Sequence, residues 1–200
     1  RDCLEILRQP LEDGSVAIAR VAGSITYPAR VMLIGAANPC PCGHLGDTAK
    51  QCTCNPYHVQ KYRQRLSGPL LDRIDIQIEV PRLKQEELVS RGGDGPSSRE
   101  IRHRVQAARD RQAQRLQGTG VFTNAQMNSR HLRAFCTLDE ATTSLLRTAI
   151  QQLGLSARAY DRVLKIARTI AEIDGSDDIR PAYVAEALQY RSLDRKMWQA

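Results

Sequence analysis

The sequence predicts a mixed α/β part to about residue 81, followed by an all-helical part from about residue 98. Three features carry that prediction. Val31-Met32-Leu33-Ile34-Gly35-Ala36-Ala37 is a near-continuous apolar run, the pattern of a strand covered on both faces in a parallel sheet. Ahead of it, residues 16–21 and 25–27 are strand-like runs separated by Gly23-Ser24, which reads as a β-hairpin ended by Pro28. Beyond residue 98 the apolar residues recur at helical spacing, and Gly154 and Gly175 stand where helices should stop.

In chain order, residues 1–9 read as the end of a helix, with Cys3, Leu4, Ile6 and Leu7 on its apolar face and Pro10 ending it. Glu12-Asp13-Gly14 is a turn signal that leads into the hairpin. After the apolar run, the cysteine segment is rich in Pro and Gly and reads as a loop. Pro56 suits the first position of a helix over 57–66. Arg73 lies at a loop-to-strand junction, before an alternating strand over 74–80. Residues 85–89 read as a short helix and 92–98 as a Gly/Pro/Ser linker. Helices are then expected over 98–117, with Ser98 as N-cap, and over 129–135, 139–152, 157–173 and 180–190, the last with Pro181 at its start. No internal repeat is visible.

The composition is that of a soluble globular protein, with 42% hydrophobic and 26% charged residues. No apolar run approaches the roughly 20 residues that span a bilayer, and no signal peptide heads the chain. The first residue is Arg1 and helical pattern begins at once, which reads as a piece of a longer chain. A net charge of +7, with arginine far in excess of lysine, fits a phosphate-bearing partner as well as a solvated basic surface. Aromatics make up only 4%, which argues against base-stacking platforms.

Of six cysteines, Cys3 and Cys136 stand alone, whereas Cys40, Cys42, Cys52 and Cys54 form two Cys-x-Cys pairs. Nothing implies export, so metal binding is a better reading than a disulfide scaffold. Four thiolates complete a tetrahedral zinc shell with no open position, a structural site and not a catalytic one. His44 or His58 is an alternative ligand, and an iron–sulfur cluster uses the same four thiolates. Asn38, after the apolar run, reads either as a cap on the turn before Pro39 or as a polar group orienting water at a strand end. Arg73 lies between Asp72 and Asp75, the setting of a surface ion pair or of an arginine presented to phosphate. Arg158 stands in the first turn of a helix capped by Ser156, where the dipole disfavours a cation. Arg99, Arg102, Arg104, Arg109, Arg111 and Arg115 form no tight stripe, so the long helix reads as a solvated connector.

Four stretches in this order carry a resemblance: Leu4-Glu5-Ile6-Leu7-Arg8-Gln9-Pro10-Leu11-Glu12-Asp13-Gly14, Ala36-Ala37-Asn38-Pro39-Cys40-Pro41-Cys42-Gly43, Ser67-Gly68-Pro69-Leu70-Leu71-Asp72-Arg73-Ile74-Asp75 and Leu155-Ser156-Ala157-Arg158-Ala159. The chain resembles the bacterial magnesium-chelatase-like AAA+ ATPases of the ComM/YifB type over nearly its whole length. The resemblance implies the C-terminal part of an AAA+ core over 1–81, a linker over 82–97 and a helical lid over 98–200. The core would include a hairpin at 12–27 and a Cys-rich insert at 39–56. Asn38 matches the sensor-1 residue that positions the attacking water. Arg73 matches the arginine finger offered to a neighbouring subunit's ATP. Arg158 matches the sensor-2 arginine that reads the nucleotide from the lid.

Two family features are missing from these residues: a Gly-x₄-Gly-Lys-Ser/Thr loop and an apolar strand ending in Asp-Glu. In the family both lie upstream, so this stretch is expected not to hydrolyse ATP alone. The resemblance implies ATP and Mg²⁺ as cofactors of the intact protein, zinc at the cysteines, a homo-hexameric ring, a DNA client and a cytoplasmic location with no membrane partner. A metal-chelatase or protein-remodelling motor is the second reading, and a zinc-stabilised nucleic-acid-binding module without ATPase activity the third.

Overall fold

The computed structural model describes residues 2–21, 23–83 and 95–191. Two units emerge: one from residues up to Ile74 with Glu79–Leu83, the other from Asp75–Ile78 with the helices beyond residue 95.

The first unit opens with α1 (Asp2–Glu5) and α2 (Arg8–Asp13). Pro10 does not end a helix, contrary to expectation; it sits in the first turn of α2, where its missing N–H would have had no partner. Gly14 closes α2 with φ 63°, and its N–H reaches the Pro10 carbonyl. The expected hairpin is present: β1 (Ser15–Arg20) pairs antiparallel with β2 (Gly23–Pro28), from Ser15 opposite Pro28 to Arg20 opposite Gly23. This register puts Val16 opposite Tyr27 and Ile18 opposite Ile25, an apolar stripe on one face of a largely exposed ribbon.

Residues 31–37 are not the buried strand their composition predicts. They are irregular, and Met32 and Ile34 are 87% and 83% exposed. A strand needs a neighbour to take its N–H and C=O groups, and β1 and β2 form the only sheet among the described residues. The segment 74–80 likewise forms no strand; in the second unit, the Gln77 N–H donates to the Tyr190 carbonyl at 3.0 Å.

Further along the first unit, α3 (Pro56–Arg63) starts at Pro56, with the Asn55 side chain accepting from the Tyr57 N–H. A helix that the sequence reading did not anticipate, α4 (Gly68–Leu71), is capped by Ser67 and buries Leu70 and Leu71. It carries Arg73 on the turn that follows, where the Arg73 N–H bonds the Leu70 carbonyl at 3.0 Å.

In the second unit, α5 (Ser98–Arg115) is capped by Ser97 and not by Ser98. The one-residue shift has a cause: Glu100 stands three residues after Ser97 and returns its carboxylate to the Ser97 N–H, completing a capping box. A 3-10 turn (Asn124–Gln126) precedes α6 (Ser129–Phe135), α7 (Glu140–Leu153), α8 (Ala157–Ile173) and α9 (Pro181–Gln189). Helix α8 is the hub against which α5, α6 and α9 pack, with Val163, Leu164, Ala167 and Ala171 buried at the centre. Each Val or Leu fully removed from water there contributes roughly 1.5–3 kcal/mol. The short helix expected at 85–89 lies outside the described residues, as do positions 92–94 of the linker and 192–200 of the helical part. Among the described residues, no helix is long and apolar enough to cross a membrane.

Candidate functional site

The cysteine loop brings its four sulfurs together. Cys40 is fully buried, and its sulfur lies 3.4 Å from that of Cys42 and 3.7 Å from that of Cys52; Cys42 and Cys52 are 3.6 Å apart. All four, Cys54 included, fall within 4.8 Å of one another. A zinc tetrahedron with Zn–S bonds of about 2.3 Å has edges of about 3.8 Å, so the spacing fits such an ion. Backbone hydrogen bonds from His44 and then Thr53 hold the Cys42 thiol down at about 5. A backbone hydrogen bond from Cys42 acts downward on Cys54, yet the neighbouring thiols and burial push it up to about 12. One thiolate opposes the next, and a divalent cation among them removes that conflict. The donor set therefore suits a structural metal that crosslinks residues 40 and 54.

Neither alternative histidine, His44 or His58, joins this group. His44 turns its Nδ1 to Asp47 at 3.2 Å. The Ala49 N–H, at 2.8 Å, and then His44 hold the Asp47 carboxyl down at about 2. Asn38 stands beside the same knot, exposed, its side-chain carbon 3.8 Å from where a Cβ on Gly43 would lie.

Arg73 is more enclosed than its flanking charges suggested, with a side chain 12% exposed. Its guanidinium pairs with Glu12, the penultimate residue of α2, and donates to the Pro69 carbonyl at 2.6 Å. The carboxylate that holds it thus comes from far upstream and not only from its own loop. Asp75, in the second unit, accepts instead from Arg162 at 2.6 Å. Arg158 occupies the second position of α8, exposed, behind an N-cap in which Ser156 accepts from the Ala159 N–H at 3.1 Å. The three phosphate-facing candidates are thereby divided: Asn38 and Arg73 belong to the first unit, Arg158 to the second.

The sequence reading missed a buried polar cluster. Glu172, 3% exposed on α8, accepts from Gln112 at 2.9 Å, Arg115 at 2.5 Å and Asn124 at 2.8 Å. Arg168, 4% exposed, approaches the same carboxylate at 3.6 Å and donates to the carbonyls of Asp177 and Ser176. A signal existed: Ala108, Gln112 and Arg115 are spaced i, i+4, i+7 and share one face of α5. That face is buried at Ala108 and Gln112, so α5 is no freely solvated connector. Cys136 lies in this core, where burial pushes its thiol up to about 11, an unreactive setting.

Two family profiles match the chain in succession. "Magnesium chelatase, subunit ChlI" covers residues 1–88 and "Magnesium chelatase, subunit ChlI C-terminal" covers residues 95–191. Competence protein ComM of Haemophilus influenzae is 42% identical over 195 residues, which is 98% of this chain and 37% of that protein. YifB of Escherichia coli is also 42% identical with the same coverage, and a Mycobacterium tuberculosis protein is 39% identical over 188 residues. The chain spans 37% of the length of these relatives.

Proposed function

Because the chain belongs to the magnesium-chelatase-like family, in its ComM/YifB type, we propose that it forms the C-terminal part of a hexameric AAA+ ATPase that remodels DNA. The observation that carries the reading is the similarity to a competence protein along 98% of the chain. The remodelling would be helicase action or branch migration during recombination of incoming DNA. The net charge of +7 agrees with a polyanionic client.

On this reading the chain's residues supply orientation and charge to the nucleotide, and the phosphate cradle and Mg²⁺ ligands come from other parts of the longer protein. ATP, when bound, supplies the phosphoryl group that water attacks. Asn38, exposed at the end of the apolar run, orients that water. Arg73 presents a planar, permanently charged fork to the adjacent subunit's phosphates. Glu12 and the Pro69 carbonyl already hold that fork at the end of α4. Arg158 adds a second cation from the start of α8, which gives a reason for a charge that the helix dipole disfavours.

The test is Arg73→Ala and Arg158→Ala in the full-length protein. An arginine finger is worth about a thousandfold or more in turnover, so ATPase activity should fall by that order for Arg73→Ala while the protein still assembles. Undiminished hydrolysis in both variants would remove the motor reading. The second reading, a chelatase-type motor, is favoured by the names of the two matching profiles. Salt-dependent DNA binding by the full-length protein separates the two, because each phosphate contact steepens the dependence on salt.

A further inference from the structure

We infer that the outer face of α3, together with Pro41 of the cysteine loop, is a binding surface for single-stranded nucleic acid. The inference deepens the DNA reading above by naming the surface, and it depends on no step of ATP hydrolysis.

Three observations converge there. Residues 48–71 contain no Asp or Glu, yet they carry Lys50, Lys61, Arg63 and Arg65. Helix α3 and the turn after it place His58, Lys61, Tyr62 and Arg65 at i, i+3, i+4 and i+7, one continuous face. That face and Pro41 line a groove of about 700 Å³. Within the groove the Arg65 guanidinium stands 5.5 Å over the half-buried Tyr62 ring, so the cation and the ring share one patch of the groove. Tyr57 is 64% exposed, with its ring 5.9 Å from that of His58, a second pair of flat groups turned to solvent. Among the described residues, neither Lys61 nor Arg65 is paired with a carboxylate.

The chemistry selects the partner. Lys61 and Arg65, both exposed in an acid-free stretch, favour a polyanion. Exposed aromatic rings among them favour one whose bases are unpaired, since a duplex keeps its base faces stacked inside. An acidic peptide would use the cations and leave the rings idle. Scarcity of aromatics in the whole chain is therefore misleading, because two of its six tyrosines stand on this one helix.

The experiment measures binding of a 5′-fluorescein oligo-dT to the full-length protein by anisotropy, without nucleotide, over a range of salt. Lys61→Gln/Arg65→Gln should weaken binding and lower the slope of log K against log[salt] by about 1.4, two contacts at about 0.7 each. Tyr62→Leu should weaken binding about tenfold and leave the slope unchanged, as loss of a stacked base does. Arg102→Gln/Arg109→Gln on α5 removes the same charge elsewhere and should leave both quantities alone. The proposal is overturned if the α3 variants bind like the wild type, or if the α5 pair shifts the slope as much as the α3 pair. It is also overturned if poly-glutamate or a blunt duplex competes as well as unlabelled oligo-dT. A wild-type protein that does not bind oligo-dT at all removes the DNA reading along with this surface.

Discussion

Glu172 ties three elements of the second unit together from one buried carboxylate. Its carboxylate is 3% exposed and joins α5, the 3-10 turn and α8 through Gln112, Arg115 and Asn124, with Arg168 against its flank. Removing one member of a buried charge cluster strands the others, at a cost of about 3–5 kcal/mol. Glu172→Ala should therefore lower unfolding stability by that order in denaturant titrations, and a loss below about 1 kcal/mol would mean that water replaces the carboxylate. Arg158 lies on the same helix and is exposed, so its loss should leave stability within about 0.5 kcal/mol. The two residues separate a buried structural charge from one at the surface.

The helices owe their bounds to local hydrogen bonding, and the start of α5 shows it through pH. The Ser97 N–H, at 2.6 Å, and the Ser97 hydroxyl hold the Glu100 carboxyl below the usual carboxylate range. A carboxyl depressed in the folded state contributes stability that is fully present above its unfolded value, about 4.3 for Glu. That contribution is lost as the pH falls through the lower, folded value. Glu100→Ala should thus be less stable than the wild type at neutral pH, and the gap should close on acidification below about pH 4. A difference that persists unchanged at pH 2 would place the effect in packing and not in the capping box. The hairpin is a different kind of element: β1 and β2 pair in register, yet most of both strands is exposed. A two-stranded ribbon of this kind is marginal by itself.

For the molecule as a whole, a metal held by the four cysteines would substitute for the core that their loop lacks. Between Pro39 and Asn55 the chain has no helix or strand, and Cys40 is its one fully buried side chain. The sulfur spacing fits zinc, and a closed four-sulfur site fastens such a loop. Purified protein should carry about one zinc per chain, and Cys40→Ser should abolish it. Chelation should open residues 39–56 to protease. Metal-free protein that resists protease as well as the metal-bound form would show that the loop holds its shape unaided.

The sequence by itself determined whatever depends on neighbours a few residues away. The starts of α6, α7, α8 and α9 follow from Asn128, Asp139, Ser156 and Pro181, the hairpin from alternation and its Gly turn, and the candidacy of the cysteines from their pairing. Where two local signals competed, the margin was small: Ser97 took the cap from Ser98 because Glu100 could answer it. Tertiary structure alone decided matters that depend on distant partners. It tied Arg73 to Glu12, set the half-buried Arg115 and the buried Arg168 beside Glu172, and left Arg158 at the surface, although these four arginines and two carboxylates read alike as charged residues in sequence. It also left the apolar run at 31–37 uncovered and unpaired. Composition can make a segment fit to be a strand, but the hydrogen-bonding edge and the covering layer that complete it belong to other parts of a fold.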